Sequence, residues 1–139
     1  MRTEQEIIDQ LNNLYPKMQP LVLAEDPFCS YDAFNDKYIV EIKSRDAQYP
    51  SWIIEREKFA ANIDVAVQEG KQFVYLTEYN GKIITWNINT MVKNVNFKIE
   101  WEERLMPATT EFENNNPVFK QVGHLYEYDG RIHTEEETL

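Results

Sequence analysis

Asp32, Glu41 and Lys43 are the residues of this chain whose types and spacing could do chemistry together. They lie in the stretch Tyr31 to Lys43, YDAFNDKYIVEIK. It reads as a β-hairpin, with aromatic and β-branched strands flanking a polar turn at Asn35 and Asp36. On the second strand Tyr38, Val40 and Ile42 point one way, and Ile39, Glu41 and Lys43 the other. A two-residue loop pairs Phe34 with Lys37 and Asp32 with Ile39, which leaves Asp32 diagonal to Glu41 on the same face. A four-residue loop puts Asp32 directly opposite Glu41, and a three-residue loop breaks the parity. Two carboxylates and an ammonium then share one side of a hairpin whose other side is apolar. Burying like charges together costs free energy unless a cation sits between them, so the arrangement suggests a divalent-metal site.

An Asp on one strand, eight residues, and Glu-x-Lys on the next resembles the signature of the PD-(D/E)XK nuclease superfamily. The resemblance covers roughly the first 90 residues and departs from the pattern at Tyr31, where the name-giving Pro would stand. A second Glu-x-Lys, Glu69-Gly70-Lys71, has no upstream strand Asp and reads as a helix stop. The resemblance implies hydrolysis of DNA phosphodiesters. Asp32, Glu41 and the backbone carbonyl of Ile42 would hold one or two Mg²⁺ or Mn²⁺ ions, hard cations that take oxygen ligands. Lys43 would orient the attacking water or offset charge on the phosphorus. Members of the superfamily often carry a first-helix Glu that leans toward the metal, and Glu4 fits that position. The helix dipole alone also favours a Glu there.

Arg45, Arg56 and Lys58 follow the motif closely and suit a local nucleic-acid-binding patch, the alternative being scattered solvated charges. Tyr49 and Trp52 could stack on a base, or simply pack at a helix start. Short acidic members with an extra C-terminal segment are similar to those encoded by tailed bacteriophages. That similarity implies host-cell cytoplasm as the setting and a homodimer as the assembly. Residues 95–101 are the candidate interface.

The 139 residues suggest one domain, a nuclease-like core over 1–90 and an extension with an acidic tail over 91–139. Hydrophobic content of 42% and eighteen aromatic residues argue for a folded globule. No apolar run approaches the ~20 residues of a membrane span, and MRTEQEIIDQ lacks signal-peptide shape, so a cytoplasmic protein is expected. The single Cys29 excludes an internal disulfide framework and a cysteine-based zinc site. A net charge of −10 weighs against wrapping non-specific DNA by counterion release, though not against a nuclease whose carboxylates bind metal.

The elements that must position the trio read as follows. Thr3-x-x-Glu6 is a capping box for a helix to about Tyr15, with Ile7, Ile8 and Leu11 as its buried stripe. Pro20 to Leu23, Phe28 to Ala33 and Lys37 to Ser44 are strands. Ser51 caps a helix to Glu69 that buries Phe59, Ile63 and Val67 and stops at Gly70. Gln72 to Thr77 is a strand parallel to the motif strand, and Asn80-Gly81 turns into Lys82 to Ile88. This αβββαβ order, a mixed sheet flanked by helices in an α/β (α+β) chain, matches the core order of the resembled fold. Val95 to Trp101 alternates as a one-sided strand, Met106 to Asn116 reads as a loop, Val118 to Tyr128 as an edge element, and 134–139 as a charged tail.

Two other functions fit the same residues: a non-catalytic interaction protein with the nuclease fold, and an acidic DNA mimic that inhibits a host DNA-binding protein. Other chemistry is weaker. His124 and His133 are far apart with no Ser or Cys partner evident, Cys29 has parity opposite to Asp32, and no Gly-rich phosphate loop is present.

Overall fold

Thr3 opens the first helix: its hydroxyl accepts from the Glu6 N–H, and the Glu6 carboxylate accepts from the Thr3 N–H, the reciprocal cap expected of Thr-x-x-Glu. A computed structural model of the chain describes residues 2–107 and 117–133. In order its elements are α1 (Glu4–Leu14), β1 (Val22–Leu23), β2 (Ala33–Phe34), β3 (Tyr38–Ser44), β4 (Trp52–Glu55), α2 (Arg56–Glu69), β5 (Gln72–Tyr79), β6 (Lys82–Asn87), α3 (Ile88–Val92), β7 (Glu102–Pro107), β8 (Pro117–Leu125) and β9 (Arg131–His133). The class is mixed α+β. One sheet has six strands in the order β1-β2-β3-β5-β6-β9, the other three in the order β4-β8-β7. Among the described strands only β3 and β5 run parallel, with Glu41 beside Tyr75 and Lys43 beside Thr77.

The large sheet is covered on both faces. Val40, Ile42, Leu76 and Ile83 pack with Ile7, Ile8 and Leu11 of α1. On the opposite face Ile39, Phe73, Tyr75, Ile84 and Trp86 meet Ala66 of α2, Trp52 and Ile54 of β4, and Leu125 of β8. Gly70 ends α2 in the left-handed region at φ 70°, and Asn80 and Gly81 turn β5 into β6 at φ 50° and 85°, as their residue types lead one to expect.

Several expected elements differ. Trp52 to Glu55 is a strand rather than the first turn of α2, and Ser51 caps nothing: its hydroxyl lies 2.7 Å from His124 Nδ1. The aromatic and β-branched Trp52-Ile53-Ile54 finds its partner in β8, some 70 residues on, which local reading cannot see. The buried face of α2 is Asn62 and Ala66, flanked by partly buried Phe59 and Ile63, while Val67 is 67% exposed. Residues 95–101 form no strand, which begins instead at Glu102. Residue 117 opens β8, which is the middle strand of its sheet rather than an edge. Of the expected loop Met106 to Asn116, Met106 and Pro107 end β7 instead, and residues 108–116, like the tail 134–139, lie outside the described residues. No described helix is long and apolar enough to cross a membrane.

Candidate metal and phosphodiester site

The hairpin turn is built by Asn35. Its Oδ1 accepts from the N–H groups of Lys37 and Tyr38, and its amide donates to Gln19 O. Ala33 pairs with Val40 and Phe34 with Ile39, so four residues separate the paired strands and the two-residue register does not occur. The ladder then breaks. Asp32 N–H also donates to Val40 O at 2.8 Å, so Asp32 and Ala33 both oppose Val40, a bulge of the kind that re-aims a side chain. Strand β2 is correspondingly short, and Asp32 stands just before it. Its carboxylate swings onto β3, where Oδ2 accepts from Ile42 N–H at 2.7 Å.

Glu41 is 3% exposed, and its Oε1 has no hydrogen-bond partner among the described residues. Burial pushes its carboxyl up to about 7; Lys43 opposes the shift and the charge of Asp32 adds to it. Burial also raises Asp32, against the Ile42 hydrogen bond and the charges of Lys43 and Lys58. Glu4 is raised by burial and by Asp32, with Lys43 opposing. The charges of Asp32 and Lys43 therefore act on both Glu4 and Glu41, across α1, the bulge and β3.

Among the described residues no three of His, Cys, Asp and Glu gather into a protein-only metal cage, so Glu4 does not close a three-carboxylate set with Asp32 and Glu41. What remains is a pair of carboxylates carrying hard oxygen donors. The unpartnered, buried Glu41 Oε1 fits a divalent cation that keeps ligands from water or substrate. Ile42 turns its side chain to α1 and its N–H to Asp32.

The expected basic patch separates into different roles. Lys58, exposed on the first turn of α2, bears on both Asp32 and Glu41. Arg56 lies over the Trp101 ring and donates to Gln121. The charge of Arg45 acts on the Tyr75 hydroxyl, which donates to Ile53 O at 2.7 Å. Tyr49 is 42% exposed and meets buried Trp52 edge-on. Phe97, Ile99 and Trp101 pack against the chain's own core, so that side of residues 95–101 is already covered.

His124 does have a serine neighbour, contrary to expectation, while His133 meets hydroxyls of Tyr and Thr. His133 lies between Tyr15 Oη (2.6 Å) and Thr85 Oγ1 (2.7 Å). His124 lies between Ser51 Oγ at Nδ1 and Glu102 Oε1 at Nε2 (3.0 Å). A serine-hydrolase relay needs the hydroxyl on Nε2 and the carboxylate on Nδ1, so this order is reversed, and it reads as a tie across β4, β8 and β7. Sequence reasoning also missed buried Thr77 and Asn62, whose side chains have no hydrogen-bond partner among the described residues. Thr77 was hidden inside an apolar strand run, QFVYLT. No family model matches the chain, and no curated protein does.

Proposed function

We propose that the chain is a metal-dependent nuclease that hydrolyses DNA phosphodiesters at Asp32, Glu41 and Lys43, on a fold like that of the PD-(D/E)XK superfamily. One observation carries the reading: Glu41 keeps a buried carboxylate oxygen without a partner among the described residues, within the electrostatic reach of a second carboxylate and an ammonium. A carboxyl placed there only for stability would be satisfied, as Glu78 is by Ser44 and Gly81.

Asp32 and Glu41 would hold Mg²⁺ or Mn²⁺, with the Ile42 carbonyl as a further oxygen donor. Such an ion, when bound, polarises the phosphate and lowers the pKa of water. The Ile42 N–H fixes the rotamer of Asp32. Lys43 directs an ammonium at the attacking water or at the non-bridging oxygens, where negative charge accumulates. Lys58 adds a second cation within electrostatic reach of both carboxylates, which helps an acidic chain tolerate a polyanion. Glu4 tunes the field from α1, directly or through water. A homodimer remains part of the proposal, with a surface other than the covered side of residues 95–101. The DNA-mimic alternative calls for an exposed carboxylate stripe, and burial withdraws Glu41 and Glu78 from any such surface.

The test is a panel of linear and branched DNAs incubated with Mn²⁺ or Mg²⁺. Cleavage is expected with wild type and its loss, by 100-fold or more on the order set by one electrostatic group, with Glu41→Ala and Lys43→Ala. Cleavage that survives both substitutions, or none by wild type, rejects the proposal.

A further inference from the structure

The sheet face beneath α2 carries one more polar group than the motif accounts for. β3 presents Ile39, Glu41 and Lys43 there, and β5 presents Phe73, Tyr75 and Thr77. Their parallel register sets Thr77 beside Lys43 and one pleat beyond Glu41. Thr77 is 1% exposed, and its Oγ1 has no hydrogen-bond partner among the described residues. Valine has the same shape and no hydroxyl to desolvate, so a threonine left unpaired here is costly for the fold alone. Glu41 Oε1 is the second unpaired buried oxygen on the same face. Diagonal neighbours on adjacent strands stand too far apart for a direct hydrogen bond between short side chains, but one small molecule can link them.

We infer that Thr77 is a positioning residue of this site, its hydroxyl orienting the attacking water between itself, Lys43 and Glu41; the inference rests on the nuclease reading. The donors and acceptors match. Lys43 only donates, an ionised Glu41 only accepts, and the hydroxyl of Thr77 does either. A water that accepts from Lys43 and donates to Glu41 and Thr77 keeps one lone pair for phosphorus. As its O–P bond forms, the P–O bond to the departing sugar oxygen breaks. The water proton is released to solvent, and the sugar oxygen takes a proton from solvent. Tyr75, another polar side chain on this face of β5, is committed to Ile53 O and cannot serve.

Thr77→Val and Thr77→Ser separate the possibilities, each read by Mn²⁺-dependent cleavage and by urea unfolding of the metal-free protein. For Thr77→Val, kcat is expected to fall about 10- to 100-fold with KM within about twofold. Its metal-free stability should equal or exceed that of wild type, since a buried unpaired hydroxyl has been removed. Thr77→Ser should restore kcat to within about threefold of wild type. The inference is overturned by an undiminished kcat in Thr77→Val, by a loss of stability that accompanies the loss of rate, or by failure of Thr77→Ser to restore it. Those results leave the nuclease reading standing. Absence of cleavage by wild type removes both.

Discussion

Two glutamates are buried on β3 and β5, and they differ in what their oxygens meet. Glu78, 1% exposed, accepts from Ser44 Oγ at 3.0 Å and Gly81 N–H at 3.1 Å, with Arg2 at 3.4 Å. Glu41 leaves Oε1 unpaired. Between pH 4.5 and 7 the folded chain holds a proton on Glu41 that the unfolded chain has released. Stability therefore falls as pH rises through that window, by about 3 kcal/mol in all. Glu41→Gln removes the ionisation, so urea unfolding should show it level with wild type near pH 5 and about 2 to 3 kcal/mol more stable at pH 8. Identical pH dependence in the two proteins contradicts the burial argument. Glu78→Ala should do the reverse and cost about 2 to 3 kcal/mol, because it strands the Ser44 and Gly81 donors. Residue type and strand parity alone picked out Glu41 and Lys43 as neighbours on one face of β3. The way Asp32 reaches the site was not legible: a bulge at Val40 takes the place of regular alternation, and a bulge has no reliable signal in one sequence.

At the scale of elements, what could be read locally was read well and what depends on distant pairing was not. The capping box of α1, the Gly70 stop and the Asn80-Gly81 turn each follow from a few adjacent residues. β4 needs β8 to become a strand, and the same Trp52-Ile53-Ile54 reads as helix without it. Residues 97–101 kept their alternation yet joined no ladder: Phe97, Ile99 and Trp101 turn inward from an irregular segment. Gly123 of β8 makes that approach possible, since a methyl group there would overlap the Ile99 side chain and crowd the Trp101 ring. Gly123→Ala should thus destabilise the chain by about 1 to 3 kcal/mol and quench or shift tryptophan fluorescence as Trp101 is displaced. Unchanged unfolding and emission would show that the segment does not depend on this close approach.

For the molecule as a whole, the six-stranded sheet is buried on both faces, and the candidate site lies on the α2 face, with the charge of Glu4 felt from α1 by Asp32 and Lys43. The α+β class was open to sequence reasoning because helical and strand periodicities differ; β4, which breaks the expected αβββαβ order, and the second sheet it joins, built from segments far apart in the chain, were not. On the proposed nuclease reading, a charge of −10 and a Glu41 carboxyl raised to about 7 mean that a cation would have to bind before a polyanion is tolerated, and would displace a proton to do so. Mn²⁺ affinity should accordingly weaken as pH drops below 7, approaching tenfold per pH unit while one proton is displaced. The most direct measurement is calorimetric titration of Mn²⁺ into wild type and Glu41→Gln at pH 8, with the folded state of each verified. Saturable binding by wild type, lost or weakened at least tenfold in Glu41→Gln, is the predicted result. Equal binding by the two proteins, or none by wild type at millimolar Mn²⁺, would contradict the account.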